Sequence, residues 1–178
     1  MSATILQFPV KASPTPEQLA PPKYMPAYCD PNNEFKGEKF ERDLNVSDIA
    51  KRIRKEILAK KKAGEFPKGL KTSVRIQRYS GGQSLNITVK DFGFAPTNPE
   101  YVEFREQAGS DWHLTGIHGQ APERYNEKAT KILGELKEMR TAYNRDNSDI
   151  MVDYFDVNFY GSVEVDWEYA RELLGTYW

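Results

Sequence analysis

Cysteine and long hydrophobic runs are scarce in this sequence. Cys29 is the single cysteine in 178 residues, which excludes a disulfide within the chain and favours a reducing compartment. No apolar run approaches the ~20 residues that a membrane-spanning helix needs. Residues 1–10 lack the basic segment and the long apolar segment of a secretory signal. These absences predict a cytoplasmic protein with no membrane partner.

Side chains suited to catalysis are also few. The two histidines, His113 and His118, follow Asp111 closely, and all three are metal-ligand types. They lie in a segment broken by glycines, not on one helix face, so we expect no metal site there. Nothing near Cys29 in sequence supports a nucleophilic role. We therefore expect a binding protein with no catalytic residues and no cofactor.

The formal net charge of −1 hides an asymmetry along the chain. Residues 51–90 carry 12 basic and 2 acidic side chains, whereas residues 91–178 carry 8 basic and 17 acidic ones. A charge split of this kind bears on binding partners more than on fold. Two interpretations are open: the basic segment binds an anionic partner, or the two halves fold together and partly neutralise each other.

Prolines divide the chain into an arm and a domain. Seven of the 11 prolines fall within residues 9–31, too close together for a helix or a central strand. We predict an extended or poorly ordered arm over residues 1–44 and a single α+β domain over residues 45–178.

The basic segment begins with a helix. Apolar residues recur at steps of three or four from Val46 to Ile57, which is one helix stripe. Asn45 and Ser47 are suitable caps at its start, and Gly64 ends it.

A hairpin follows this helix. Residues 73–79 and 85–90 alternate apolar and polar side chains, the pattern of half-buried strands. Gly81 and Gly82 between them supply the positive φ of a tight connection. The alternation points Arg75 to solvent and the apolar side chains to the core.

The rest of the chain carries patterns of three helices and two strands. Helices are predicted from Asn98, from Pro122 and near Trp167, and strands over residues 151–165 with a turn at Tyr160. The order α-β-β-α-α-β-β-α predicts a four-stranded, mainly antiparallel sheet with helices packed on one face.

Three stretches of the domain resemble a known family of accessory domains. They are residues 46–56 (VSDIAKRIRKE), residues 66–85 with their FP, SVR and YSGGQSL segments, and residues 156–165 (DVNFYGSVEV). Over about residues 45–170 the chain resembles the large polyvalent protein associated domains of class twenty-nine, which occur in proteins of phages and conjugative elements. Residues 92–148 are long for that family. The resemblance implies a mobile-element setting in a bacterial cell, concerned with host takeover or defence evasion, and supplies no catalytic residue.

A phosphate backbone is the anionic partner that the basic helix and hairpin fit best. Cations on one solvent surface neutralise phosphates, and glycines in a turn let a backbone approach closely. Gly81-Gly82 lacks the spacing and the lysine of a phosphate-binding loop, so we interpret it as a hairpin turn that the nucleic acid approaches. The predicted contacts are Lys51, Arg52, Arg54, Lys55, Lys61, Lys62, Arg75, Arg78, Gly81 and Gly82.

The acidic, aromatic C-terminal half supports an alternative function. In that hypothesis the protein is an inhibitor or adaptor of a host defence complex, comparable to an anti-CRISPR protein, and presents carboxylates and aromatic rings to a protein partner. The predicted partner contacts are Asp153, Asp156, Tyr160 and Trp178. The carboxylates of this half are equally typical of a solvated acidic face, and we do not predict that they bind a divalent ion.

Overall fold

The computed structural model describes residues 34–108, 121–148 and 155–174. Its elements are β1 (Phe35–Lys36), α1 (Val46–Ala63), β2 (Lys71–Tyr79), β3 (Gly82–Asp91), α2 (Pro99–Ala108), α3 (Glu127–Ala142), β4 (Arg145–Asp146), β5 (Val163–Val165) and α4 (Trp167–Leu174). This content confirms the predicted α+β class. Within the described ranges, none of the helices has the length and apolar character needed to cross a membrane.

Helix α1 begins and ends where the sequence predicts. The Asn45 side chain accepts hydrogen bonds from two backbone N–H groups of the first turn, at 2.9 and 3.1 Å. Gly64 ends the helix in the left-handed conformation, with φ at 82°. The apolar stripe from Val46 to Ile57 is buried and forms one wall of the core.

The β2–β3 hairpin has the predicted orientation. Val74 lies opposite Ile87 and is buried, whereas Arg75 between the apolar positions is exposed. The apolar face of this hairpin packs on α1 because the alternation of β2 and β3 matches the pleat on both strands. The prediction that the hairpin carries its charge outward is confirmed.

The hairpin connection is shorter than predicted. Tyr79 pairs with Gly82, so Ser80 and Gly81 alone connect the strands. Gly81 takes the positive φ, 85°, whereas Gly82 already belongs to β3. A two-residue connection leaves no room for the second glycine in the turn.

Helix α3 begins later than the predicted start at Pro122. Tyr125 pairs with Thr97 in an antiparallel bridge, and Asn126 donates its backbone N–H to the carbonyl of Pro96 at 2.9 Å, so the chain is not helical before Asn126. The Asn126 side chain then caps the helix by accepting from the backbone N–H of Ala129 at 3.0 Å. The apolar stripe predicted from Tyr125 to Tyr143 is buried from Ala129 onward, at Ala129, Ile132, Leu136, Met139 and Tyr143, whereas Tyr125 precedes the helix and is half-buried.

The chain around Tyr160 differs from the predicted turn. Tyr160 donates its backbone N–H to the carbonyl of Gln83 at 2.9 Å and accepts from the N–H of Leu85 at 2.8 Å. These bonds lay the chain parallel to β3, and β5 continues the parallel pairing. A parallel neighbour needs a long crossover, and the chain between β3 and Tyr160, which includes α2 and α3, supplies one.

The sheet therefore differs from the predicted four-stranded, mainly antiparallel arrangement. Among the described residues it has three strands in the order β2-β3-β5, and β1 pairs with β4 in a separate antiparallel ribbon. Alternation in a sequence predicts a strand and its two faces but not its partner. Helices α1 and α3 pack against the sheet, and its core face carries Leu85, Ile87 and Val89.

Residues 34–44, the end of the predicted arm, lie against the domain. Gly37 donates its backbone N–H to the carbonyl of Asn144 at 2.8 Å, just beyond the end of α3. The proline-rich residues 1–33, including Cys29, lie outside the described residues.

Candidate nucleic-acid interface

Five cations form one stripe along α1. Residues three and four apart are neighbours on a helix surface, so positions 51, 54, 55, 58, 61 and 62 form a continuous stripe. The stripe consists of Lys51, Arg54, Lys55, Leu58, Lys61 and Lys62. It lies away from the buried side of the helix, and even its apolar member, Leu58, is 51% exposed.

Two of these cations connect α1 to the edge of the sheet. Nη2 of Arg54 donates to the backbone carbonyl of Val74 at 2.5 Å, and Nζ of Lys61 donates to the carbonyl of Leu70 at 2.8 Å. Among the described residues β2 is an edge strand, and its outward carbonyls have no neighbouring strand there to donate to them. Because a carbonyl is uncharged, both side chains keep their full positive charge in these bonds.

Arg78 makes a similar connection at the hairpin end of β2. Its Nη2 donates to the hydroxyl of Ser47 at 3.1 Å, at the start of α1. Arg78 thus bonds to an uncharged oxygen, as Arg54 and Lys61 do, and this contact does not neutralise its charge.

Lys51 and Arg52 are paired with carboxylates. Nζ of Lys51 lies 2.8 Å from Oδ1 of Asp48, and Nη1 of Arg52 lies 2.5 Å from Oε1 of Glu41. The hydrogen bond from Lys51, followed by one from Asn45, lowers the pKa of Asp48, and the bond with Glu41 raises the pKa of Arg52. Such exposed pairs add little stability, but they offset the positive charge at this end of α1.

Lys55, Lys62 and Arg75 are exposed and have neither an ion pair nor a hydrogen bond from their side chains to the described residues. A phosphate oxygen would meet these three cations without displacing a partner in the described ranges. Among the predicted contacts, carboxylates thus neutralise Lys51 and Arg52. The other predicted cations have no carboxylate partner among the described residues.

An open groove of about 730 Å³ runs between α1 and β2, and we call it the basic groove. Its apolar floor includes Ile57 and Leu70, and its cations are Arg54, Lys61, Lys71 and Arg75. None of the ten described residues that line it is a carboxylate. Lys71 pairs with Asp91, outside the lining, at 3.0 Å.

The two glycines of the predicted turn differ in accessibility. A Cβ on Gly81 would meet no atom within 4 Å, whereas a Cβ on Gly82 would lie 2.9 Å from Cε2 of Tyr79. The Tyr79 ring therefore covers Gly82. A nucleic-acid backbone has close access to the chain at Gly81 and not at Gly82.

The predicted protein-partner contacts do not form one acidic patch among the described residues. Oδ2 of Asp156 accepts a hydrogen bond from Nη2 of Arg145 at 2.8 Å, so this carboxylate is paired. Tyr160 is 40% exposed, on the sheet beside β3. The other two residues, Asp153 and Trp178, lie outside the described residues.

Metal-ligand types are dispersed in the part of the chain that the structure describes. There, no group of three or more His, Cys, Asp or Glu side chains is placed to hold a metal ion. Asp166 instead accepts a hydrogen bond from the backbone N–H of Glu168 at 3.2 Å, at the start of α4. Asp111, His113 and His118 lie outside the described residues, and the prediction of no metal there stays a prediction.

Sequence reasoning missed Tyr79 and Lys90 as candidate site residues. Tyr79 lies on β2 four residues after Arg75, and Lys90 lies on β3 four residues after Asn86, the partner of Arg75. Even spacing along a strand places side chains on one face, so all of them share the face of Arg75. The alternation that assigned Arg75 to the outer face extends to both residues, and this signal was present in the sequence.

No protein-family model matches this chain, and neither a curated protein nor a solved structure matches it. The resemblance of residues 45–170 to an accessory-domain class stays a prediction. The candidate interface therefore rests on its own geometry and charge.

Proposed function

We propose that this protein is a non-enzymatic nucleic-acid-binding protein that holds a phosphate backbone along the basic groove. The observation that carries the proposal is the lining of the groove among the described residues, which contains no carboxylate and four cations, three of which, Arg54, Lys61 and Arg75, have no carboxylate partner there. The same cleft has an apolar floor and an open side, so an extended polyanion would have access to it.

Arg54 and Lys61 suit phosphate binding because their hydrogen bonds to backbone carbonyls use only part of their donor capacity. Arg54 donates from Nη2 to a carbonyl, and a guanidinium has five N–H donors. Its orientation is set by that carbonyl before any ligand arrives. A fixed guanidinium loses less conformational entropy on binding a phosphate than a freely rotating one.

Lys55 and Lys62 extend the positive surface from the groove along the solvent side of α1. Together with Arg54 and Lys61 they present four cations that no carboxylate offsets among the described residues. Contacts of this kind position a backbone but carry no sequence information. The proposed binding is therefore independent of sequence and strongly dependent on salt.

The proposed cellular setting follows from the family resemblance. The resemblance implies the cytoplasm of a bacterial cell that carries a phage or another mobile element. The alternative target, a host defence complex bound through the C-terminal half, is the account to pursue if nucleic acid does not bind.

The test is fluorescence anisotropy with labelled oligonucleotides of several unrelated sequences, titrated with the full chain at a series of salt concentrations. We expect binding at low salt, with log Kobs falling linearly as log salt rises, at a slope of roughly −0.9 per phosphate contact on duplex DNA. The double variant Lys55→Glu/Lys62→Glu should weaken binding to every sequence alike.

The matched control is Lys131→Glu/Lys137→Glu, which makes the same charge change on two exposed positions of α3. It should lower affinity much less than the α1 variant. Equal losses would show that net charge and not the groove determines binding. A wild-type chain that shifts no oligonucleotide at low salt would refute the proposal.

A further inference from the structure

The face of the three-stranded sheet opposite the core carries polar and aromatic side chains, several of which are exposed. Cross-strand pairing and alternation place on this face Arg75, Gln77 and Tyr79 from β2, Asn86, Thr88 and Lys90 from β3, and Tyr160 and Glu164 beside them. We call it the open sheet face. We infer that it binds the bases of a single-stranded nucleic acid, an inference that rests on the proposed function and specifies its ligand.

Two exposed tyrosines on this face are suited to stacking. Tyr79 is 47% exposed and Tyr160 is 40% exposed, although aromatic rings of this size are normally buried where a core can take them. The Tyr79 ring lies over Gly82, which has no side chain, so the ring is supported by the sheet from beneath. A ring held in this way presents its remaining surface to a ligand.

The spacing of the two rings fits separate bases. Tyr79 is opposite Gly82 and Tyr160 is opposite Ser84, which places them two residues apart along the sheet and two strands apart across it. With ~3.3 Å per residue and ~4.8 Å per strand, their Cα atoms are about 12 Å apart. The two rings make no contact with each other, so each ring is available to a different base.

Arg75 joins the open sheet face to the basic groove. It lines the groove, and it also lies on the open sheet face beside Gln77. A single nucleic-acid strand whose phosphates follow the basic groove would place its bases on the open sheet face from Arg75 onward. Gln77 is exposed there, two residues from Tyr79, and its amide can donate to and accept from a base edge.

Base contacts on an exposed sheet face select single-stranded nucleic acid. The bases of a duplex are paired and stacked inside, so they cannot lie on tyrosine rings, whereas unpaired bases stack on aromatic side chains without strong sequence preference. Glu164 is the one carboxylate among the described residues of this face, and it lies on β5, away from the groove. The charge of the face is therefore compatible with a polyanion on its β2 side.

The experiment compares three probes of equal length against the full chain: an oligothymidine strand, a strand of abasic sites, and a duplex. We expect the wild-type chain to bind the oligothymidine more tightly than the abasic strand. Tyr79→Leu and Tyr160→Leu should each weaken oligothymidine binding roughly five- to hundredfold and leave abasic binding unchanged. Leucine at position 79 still covers Gly82, so the hairpin keeps its packing.

Two controls separate stacking from other effects. Tyr79→Phe and Tyr160→Phe keep the ring and should keep oligothymidine affinity within a few fold of the wild type. Phe35→Leu removes a ring that is 45% exposed on β1, outside the face, and should change nothing.

The outcomes distinguish this inference from the proposed function. Equal affinity of the wild-type chain for the abasic strand and the oligothymidine overturns base binding and leaves the groove proposal intact. Loss of binding to all three probes in the α1 variant Lys55→Glu/Lys62→Glu supports the groove. Unchanged oligothymidine binding in both Tyr→Leu variants also overturns the inference.

Discussion

The guanidinium of Arg54 donates to the backbone carbonyl of Val74 at 2.5 Å, so a cation on α1 closes part of the open edge of β2. The same side chain is one of the four cations of the basic groove. Edge strands are prone to pairing with other chains, and a charged side chain on the edge discourages this. Arg54 therefore serves the fold and the proposed site together, whereas Lys55, one position further on, serves the site alone.

This difference predicts separate stability effects for neighbouring cations. Arg54→Ala removes a charged hydrogen bond to a partly buried carbonyl and should lower the free energy of unfolding by about 1–2 kcal/mol. Lys55→Ala should change it by no more than about 0.5 kcal/mol. Urea unfolding of both variants provides the measurement, and equal effects would contradict the assigned role of the Val74 carbonyl.

The carboxylate pairing on α1 predicts which cations set the salt dependence. Lys55→Ala/Lys62→Ala should flatten the slope of log Kobs against log salt by about 1.8 on duplex DNA, because two phosphate contacts are lost. Lys51→Ala/Arg52→Ala should leave the slope close to the wild-type value, since these cations bind Asp48 and Glu41. Anisotropy titrations at four or more salt concentrations would measure both slopes. Equal flattening would mean that the ion pairs open when nucleic acid binds.

Gly161 is required by the close approach of its strand to β3. Its φ is 134°, and a Cβ there would lie 2.1 Å from the carbonyl oxygen of Leu85. Gly161→Ala should therefore destabilise the fold by about 3 kcal/mol or more, through backbone strain and the separation of β5 from β3. Thermal unfolding followed by circular dichroism is the check. A shift in Tm of only a degree or two would show that this approach is not needed.

Gly134, unlike Gly161, has room for a side chain. It lies exposed within α3, and a Cβ there would meet nothing within 4 Å. Gly134→Ala should raise the free energy of unfolding by about 0.5–1 kcal/mol, because alanine loses less backbone entropy than glycine when it becomes helical. The same unfolding experiment as for Gly161 applies, and a lower stability would indicate that this helix position contacts another part of the chain.

The raised pKa of Tyr143 predicts that the protein loses stability at alkaline pH. Its hydroxyl donates to the carboxylate of Glu56, and burial together with this bond raises the pKa of Tyr143 to about 12, above the ordinary value of 10.0. The folded state therefore holds the proton more tightly than the unfolded chain. The resulting stability is fully present below pH 10 and is lost as the pH rises towards 12.

The variant Tyr143→Phe has no proton to lose at this position. The difference in unfolding free energy between the wild type and this variant should therefore shrink from pH 8 to pH 11.5. Urea unfolding at several pH values measures it. A difference that stays constant over this range would contradict the raised pKa.

Local patterns in the sequence predict the elements whose partners are near in the chain. The apolar stripe from Val46 to Ile57 and its Asn45 cap define α1, because helical periodicity and capping are decided within a few residues. The alternation around Arg75 likewise predicts the hairpin and its outer face. The charge excess of residues 51–90 predicts where a phosphate-binding surface should be sought.

Only the tertiary structure decides which of those cations are neutralised and which strand lies next to β3. Lys51 and Arg54 have the same charge and lie on one helix, yet one meets Asp48 and the other meets the carbonyl of Val74. The pairing of Tyr160 with β3 likewise joins residues about 75 positions apart. Contacts between distant elements depend on how whole faces pack, and hydrophobic burial is non-directional, so no short window of sequence contains them.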